Sequence, residues 1–175
     1  PLMATVLLGV LCAGCVAVGV EGANITKDEV VYQRNIVDAR NGDPEAQYLV
    51  GDALCCSINE GSGFYNTPKA MTWLCASARQ GYAPAMFQAG KILSGDVVDG
   101  IRVSRRLVQG VVGTSTNLPV AYGWLRAAEA NGVAEAQDRA DEVWSEMAEA
   151  ERAAAGETQE GALPELCTWE ELGFE

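Results

Sequence analysis

Lys69-Ala-Met-Thr-Trp73-Leu-Cys-Ala-Ser-Ala78-Arg-Gln-Gly81 decides the fold, because its spacing returns further along the chain. Ala70, Trp73, Ala78 and Gly81 are answered by Ala121, Trp124, Glu129 and Gly132, and both the tryptophans and the glycines are 51 residues apart. Each stretch adjoins a second pattern of alanine, three residues, an apolar residue and glycine. Ala46 to Gly51 carries it, Ala85 to Gly90 repeats it, and Ala136 to Asp141 keeps it except for the glycine. Helix, turn and helix in tandem is the mark of a stack whose units bury their apolar faces only against neighbours. The fold class expected is all-α, a short α-solenoid of antiparallel helix pairs.

These residues resemble SEL-one-like repeats, relatives of the tetratricopeptide fold. Ala46, Val50 and Gly51, the turn glycines Gly61 and Gly63, and Lys69, Ala70, Trp73, Ala78 and Gly81 match one whole repeat. Ala85, Gly90, Ala121, Trp124 and Gly132 match a second, whose turn is longer and lacks the paired glycines. The resemblance covers roughly residues 27 to 152. It implies a superhelix of helix pairs and a role in protein–protein interaction, often as an adaptor or assembly factor.

The composition narrows the chemistry. Among 175 residues, 49% are hydrophobic and only 7% aromatic, as suits an alanine-rich helical stack. The net charge of −12 is concentrated: from Glu135 to Glu175 there are 13 acidic residues against Arg139 and Arg152. Phosphate contacts need clustered Lys and Arg, so nucleic-acid binding is disfavoured. There is no histidine, which removes the usual general base and the commonest zinc ligand. Gly61-Ser62-Gly63 is too short for a phosphate-cradling loop. No catalytic, cofactor-binding or metal-ligating residue is expected.

Pro1 to Val20 holds no charged residue. A helix over it would be about 30 Å long, enough to cross a bilayer core. A cleaved signal peptide would carry a basic start that is absent here. A lipoprotein signal is suggested by Leu11-Cys12-Ala13-Gly14-Cys15, with Cys15 acylated, although Cys12 stands where leucine is usual. The expectation is a transmembrane anchor over residues 1–20, with the small residues Gly9, Ala13 and Ala17 on one face for close helix packing. Residues 21–26 then read as a linker.

Thr26 to Glu29 fits a capping box for a helix with Val30, Val31, Ile36 and Val37 inward. The distance from Ala39 to Gly42 copies that from Ala78 to Gly81, so this is an orphan second helix that caps the stack. Asp43-Pro44 and Thr67-Pro68 read as helix starts, with the first repeat's helices from Pro44 to about Cys56 and from Thr67. Trp73 is expected to fill the groove between helices. Pro84 to Leu93 and Pro119 to Asn131 form the second repeat, and Val133 to Ala155 a single long last helix. The repeat domain spans 27–155, with an insertion at 94–117 and a tail at 156–175.

The insertion carries Arg102, Arg105 and Arg106 among apolar residues such as Leu107. The tail carries Leu163, Leu166, Trp169, Leu172 and Phe174, and should fold back on the stack or grip another subunit. Arg102, Arg105, Arg106, Leu107, Leu166, Trp169 and Phe174 are therefore the candidate partner-binding residues. Cys55 and Cys56, on a helix, would point in different directions. A structural disulfide from Cys167 to Cys55, Cys56 or Cys75 is expected, the sequence not choosing among them.

The function expected is a non-enzymatic, membrane-anchored scaffold, an accessory or assembly subunit of a respiratory, photosynthetic or envelope complex. Its repeat domain would stand on the periplasmic or lumenal side. The alternatives are an exported lipoprotein-type repeat protein acting alone and a thiol-redox protein using Cys55 and Cys56.

Overall fold

The computed structural model describes residues 25–56, 63–96, 116–156 and 163–174. The described residues hold seven helices and no strand. They are α1 (25–40), α2 (Pro44–Leu54), α3 (Thr67–Ala78), α4 (Ala83–Leu93), α5 (Leu118–Ala130), α6 (Glu135–Glu146) and α7 (Glu149–Gly156). Neighbours pack in chain order from α2 to α6, and α7 turns back onto α5. The regular structure of the described residues is thus all α, built of adjacent packed helix pairs.

The helix starts follow from short polar side chains placed before proline-containing first turns. Asp43 Oδ1 accepts from the Ala46 N–H (2.7 Å) and Asn117 Oδ1 from the Val120 N–H (3.2 Å). The cap of α3 is Asn66, whose Oδ1 accepts from the Lys69 N–H at 2.8 Å. This corrects the expected Thr67 by one residue: Thr67 is already in the helix and buried.

The ends repeat too. Gly42, Gly81 and Gly132, at φ +95, +90 and +92, follow α1, α3 and α5. In each case the next residue's N–H returns to a carbonyl five positions back: Asp43 to Asp38, Tyr82 to Ser77, Val133 to Ala128. This pattern needs a left-handed residue, which glycine supplies without a Cβ clash. The three helices thus end in the same way.

Close approach explains Gly51 and Gly90. A Cβ on Gly51 would lie 2.7 Å from Leu74 Cγ and 3.0 Å from the Ala70 carbonyl oxygen. One on Gly90 would lie 2.7 Å from Leu125 Cγ and 3.2 Å from the Ala121 carbonyl oxygen. The two pairs are therefore packed in the same register. Asp141, at the third such position, faces solvent, and no further pair stacks there among the described residues.

The insertion leaves this register untouched. In the first pair the Asn66 N–H donates to the Leu54 carbonyl (2.9 Å), and in the second the Asn117 N–H donates to the Leu93 carbonyl (3.0 Å). The same bond closes a short connection and a long one. Residues 97–115, with Arg102, Arg105, Arg106 and Leu107, lie outside the described residues, as do 1–24 with Gly9, Ala13 and Ala17. Among the described residues no helix is long and apolar enough to cross a membrane.

Three expectations change. The inward face of α1 is Tyr32, Ile36 and Ala39, whereas Val30 and Val37 are 43% and 61% exposed. That helix already includes residue 25, so Thr26 lies within it. The single helix expected from Val133 to Ala155 breaks at Met147, which is extended at ψ 141. Glu151 reaches back to the Ala148 N–H (2.8 Å), and Arg152 donates to the carbonyls of Trp144 (3.0 Å) and Ser145 (3.2 Å). Both new helix ends are thereby satisfied, and Met147 and Ala155 turn inward.

The core has two parts. Ile36, Ala39, Ala46, Val50, Leu54 and Ala70 join α1 to α3. The larger part centres on Met71, Leu74, Met86, Leu93, Trp124 and Leu125. Trp124 is fully buried, whereas Trp73, its repeat partner and expected groove filler, is only partly so.

Candidate protein-interaction surface

The difference between the two tryptophans lies in the tail. Residues 163–174 lie without regular helix across α3 and α5 and cover Trp124. The indole Nε1–H donates to the Leu166 carbonyl at 3.1 Å. Pro164 seats against Gly123, where an added Cβ would meet Pro164 Cγ at 2.9 Å. Cys167, fully buried, is disulfide-bonded to the equally buried Cys75 of α3, with their Cα atoms 5.8 Å apart. Of the three partners open to Cys167, the chain uses Cys75.

Just past the end of α3, Arg79 closes the groove. Its Nη2 donates to both carboxylate oxygens of Glu171 (2.8 and 2.7 Å) and to the Glu165 carbonyl (3.0 Å). Glu171 Oε2 also accepts the backbone N–H groups of Cys167 and Thr168, each at 2.9 Å. Burial pushes this carboxyl up, but the Arg79 hydrogen bond and the two backbone donors outweigh it and hold it at about 2.

A carboxyl lowered on folding contributes stability that is present above its ordinary pKa of 4.5 and is lost as pH falls towards 2. The stability difference between the wild-type chain and Glu171→Gln should be constant above about pH 5, shrink as pH falls, and vanish only below about pH 2. Denaturant melts across that range measure it. A difference independent of pH would mean that Glu171 is not ionised against Arg79.

The structure separates the candidate partner-binding residues. Trp169 and Phe174 pack on this chain's own core, their rings 4.8 Å apart. Leu166 offers its carbonyl to Trp124 and leaves its side chain 42% exposed. Cys55 and Cys56 lie past the end of α2, not on it as expected, and are bonded to each other, with Cys56 in the left-handed region at φ +74. Thr67 Oγ1 lies 3.8 Å from Cys56 Sγ.

The opposite side of the stack offers little chemistry. Gln88 Nε2 donates to Asp52 Oδ1 (3.0 Å), tying α4 to α2, and Lys91 Nζ donates to Gln88 Oε1 (3.3 Å). Asp96, at the edge of the insertion, has Oδ2 3.0 Å from Arg139 Nε of α6, off the N–H axis, so the charges pair without a hydrogen bond. No group of His, Cys, Asp or Glu among the described residues is arranged to hold a metal ion.

Arg79, Glu171, Gly123 and Pro164 were not singled out by sequence. The available signal was the shared spelling Arg40-Asn-Gly42 and Arg79-Gln-Gly81, which places an arginine two residues before two of the three closing glycines. No protein-family model matches the chain, and neither a curated protein nor a solved structure matches it.

Proposed function

We propose that this protein is a non-enzymatic scaffold of SEL-one-like helical repeats that binds another protein. The observation that carries this reading is the α3–α5 groove, which already holds a non-helical peptide segment, the chain's own tail. It does so through an indole donor, an arginine–carboxylate pair and apolar packing, which are means of recognising polypeptide. The apolar residues 1–20 support membrane attachment, as a spanning helix or through lipid on Cys15. The Cys75–Cys167 disulfide supports an oxidising, extracytoplasmic placement. An accessory or assembly subunit of a membrane complex fits these together. Its remaining docking surface is then the insertion, with Arg102, Arg105, Arg106 and Leu107.

The test is to replace all three arginines with alanine in the full chain, then compare thermal melting with the size of the native complex in mild detergent. Unchanged melting with a smaller complex is expected. Lost stability with an intact complex would mean that the insertion only braces this fold. Mass spectrometry of the mature N-terminus separates a spanning helix from a lipid on Cys15.

A further inference from the structure

The groove that holds the tail has a counterpart one pair earlier. Its walls are built from positions counted back from each closing glycine. Arg79 and Cys75 stand two and six residues before Gly81, and Trp124 and Gly123 stand eight and nine before Gly132. The equivalent positions are Arg40 and Ile36 on α1, and Trp73 and Thr72 on α3. The helix ends match as well as the sequence positions, because Gly42, Gly81 and Gly132 close their helices with the same backbone turn.

Among the described residues no segment lies over the counterpart as the tail lies over α3 and α5. Arg40 and Thr72 are exposed and Trp73 is partly so. Neither the Arg40 guanidinium nor the Trp73 indole N–H has a hydrogen-bond or ion-pair partner among the described residues. Tyr32 and Phe64, edge to face at 6.1 Å, pack on the same cluster as Trp73 and give the groove an apolar flank. An exposed arginine, an unengaged indole and an apolar flank are the parts that grip the tail elsewhere in this chain.

We infer that the α1–α3 groove binds an acidic, apolar segment of a partner protein, lying as the tail lies on α3 and α5. This rests on the scaffold reading and names the partner's chemistry. A backbone carbonyl accepts from Trp73, the next residue sets an apolar side chain on Ile36, and a carboxylate five residues beyond the carbonyl pairs with Arg40. That interval is the one from Leu166 to Glu171 in the filled groove. Two differences shape the occupant. Ile36 replaces Cys75, so an apolar contact stands in for the disulfide. Thr72 replaces Gly123, so a residue smaller than Pro164 is needed there. A second copy of this chain is the poorer occupant, because its tail is already tied down by its own Cys75–Cys167 bond.

The probe is a labelled synthetic peptide of the Leu163 to Phe174 sequence, with glycine in place of Pro164 and valine in place of Cys167. It is titrated by fluorescence anisotropy into the full, oxidised chain. Saturable binding is expected, weakened about tenfold or more by Arg40→Glu. A peptide with lysine in place of Glu171 should recover that loss on the Arg40→Glu chain, while melting of the chain stays unchanged. Absence of binding, or binding indifferent to Arg40→Glu, overturns the proposal. So does binding that is lost with Arg79→Glu instead, since the peptide would then be displacing the tail. Self-association abolished by Arg40→Glu would make the occupant a second copy and also overturn it. A native complex that survives Arg40→Glu but not the triple arginine change leaves the scaffold standing and removes only this groove.

Discussion

Trp124→Ala should lower stability by about 3–5 kcal/mol, and Trp73→Ala by less than half as much. The two tryptophans occupy the same place in the repeat, so the helices alone do not distinguish them. Trp124 is fully buried between its own helix pair and the tail, and its indole donates to the Leu166 carbonyl. Truncation removes the largest fully buried side chain in the molecule's described part. It opens a cavity and takes the hydrogen-bond donor from a carbonyl that the tail holds in place. Trp73 keeps one side towards solvent, so part of its surface gains nothing from folding. Denaturant unfolding of the two variants measures the ratio. Equal losses would mean that something covers Trp73 in solution as the tail covers Trp124.

The contrast between those residues marks how much of the fold the sequence carried. What recurs locally was legible. Gly42, Gly81 and Gly132 each close a helix in a conformation that other residues avoid, and Gly51 and Gly90 each admit a neighbouring helix. Asp43 reads as a cap because a short oxygen acceptor before proline has few other uses. The misplacement of the α3 cap is a choice between adjacent capping types, Asn66 and Thr67. It was settled by burial of the threonine.

What depended on distant partners was not legible. Ala136, Ala140, Val143 and Met147 keep helical spacing right up to the break, which is made by Glu151 and Arg152 reaching the exposed helix ends. Val30 and Val37 are as apolar as Ile36, but α1 turns the face with Tyr32, Ile36 and Ala39 towards the core. The groove joins residues up to 92 positions apart, as in Arg79 with Glu171. Spacing rules see one turn of helix, and no such rule links a tail to the helix it lies on.

Replacing Cys167 with alanine should destabilise the chain by about 2–4 kcal/mol and loosen the tail before the rest unfolds. The bond to Cys75 closes a loop with a sequence separation of 92. In the chain-entropy account a loop of that length restricts the unfolded state by about 4.5 kcal/mol, and measured effects generally fall below such values. The folded tail has other holds that survive the change: the Arg79–Glu171 pair, the Trp124–Leu166 bond and the packing of Trp169 and Phe174. These are enough to keep it docked under mild conditions, but they act one by one once the covalent tie is gone. Tail release would expose Trp124, so its fluorescence should shift to the red at a lower denaturant concentration than the loss of helical circular dichroism. In the wild-type chain the two transitions should coincide. Substitution is a cleaner probe than a reductant, which would also open the Cys55–Cys56 bond. Coincident transitions in Cys167→Ala, at an unchanged midpoint, would show that the disulfide adds nothing to a tail already fixed by its packing.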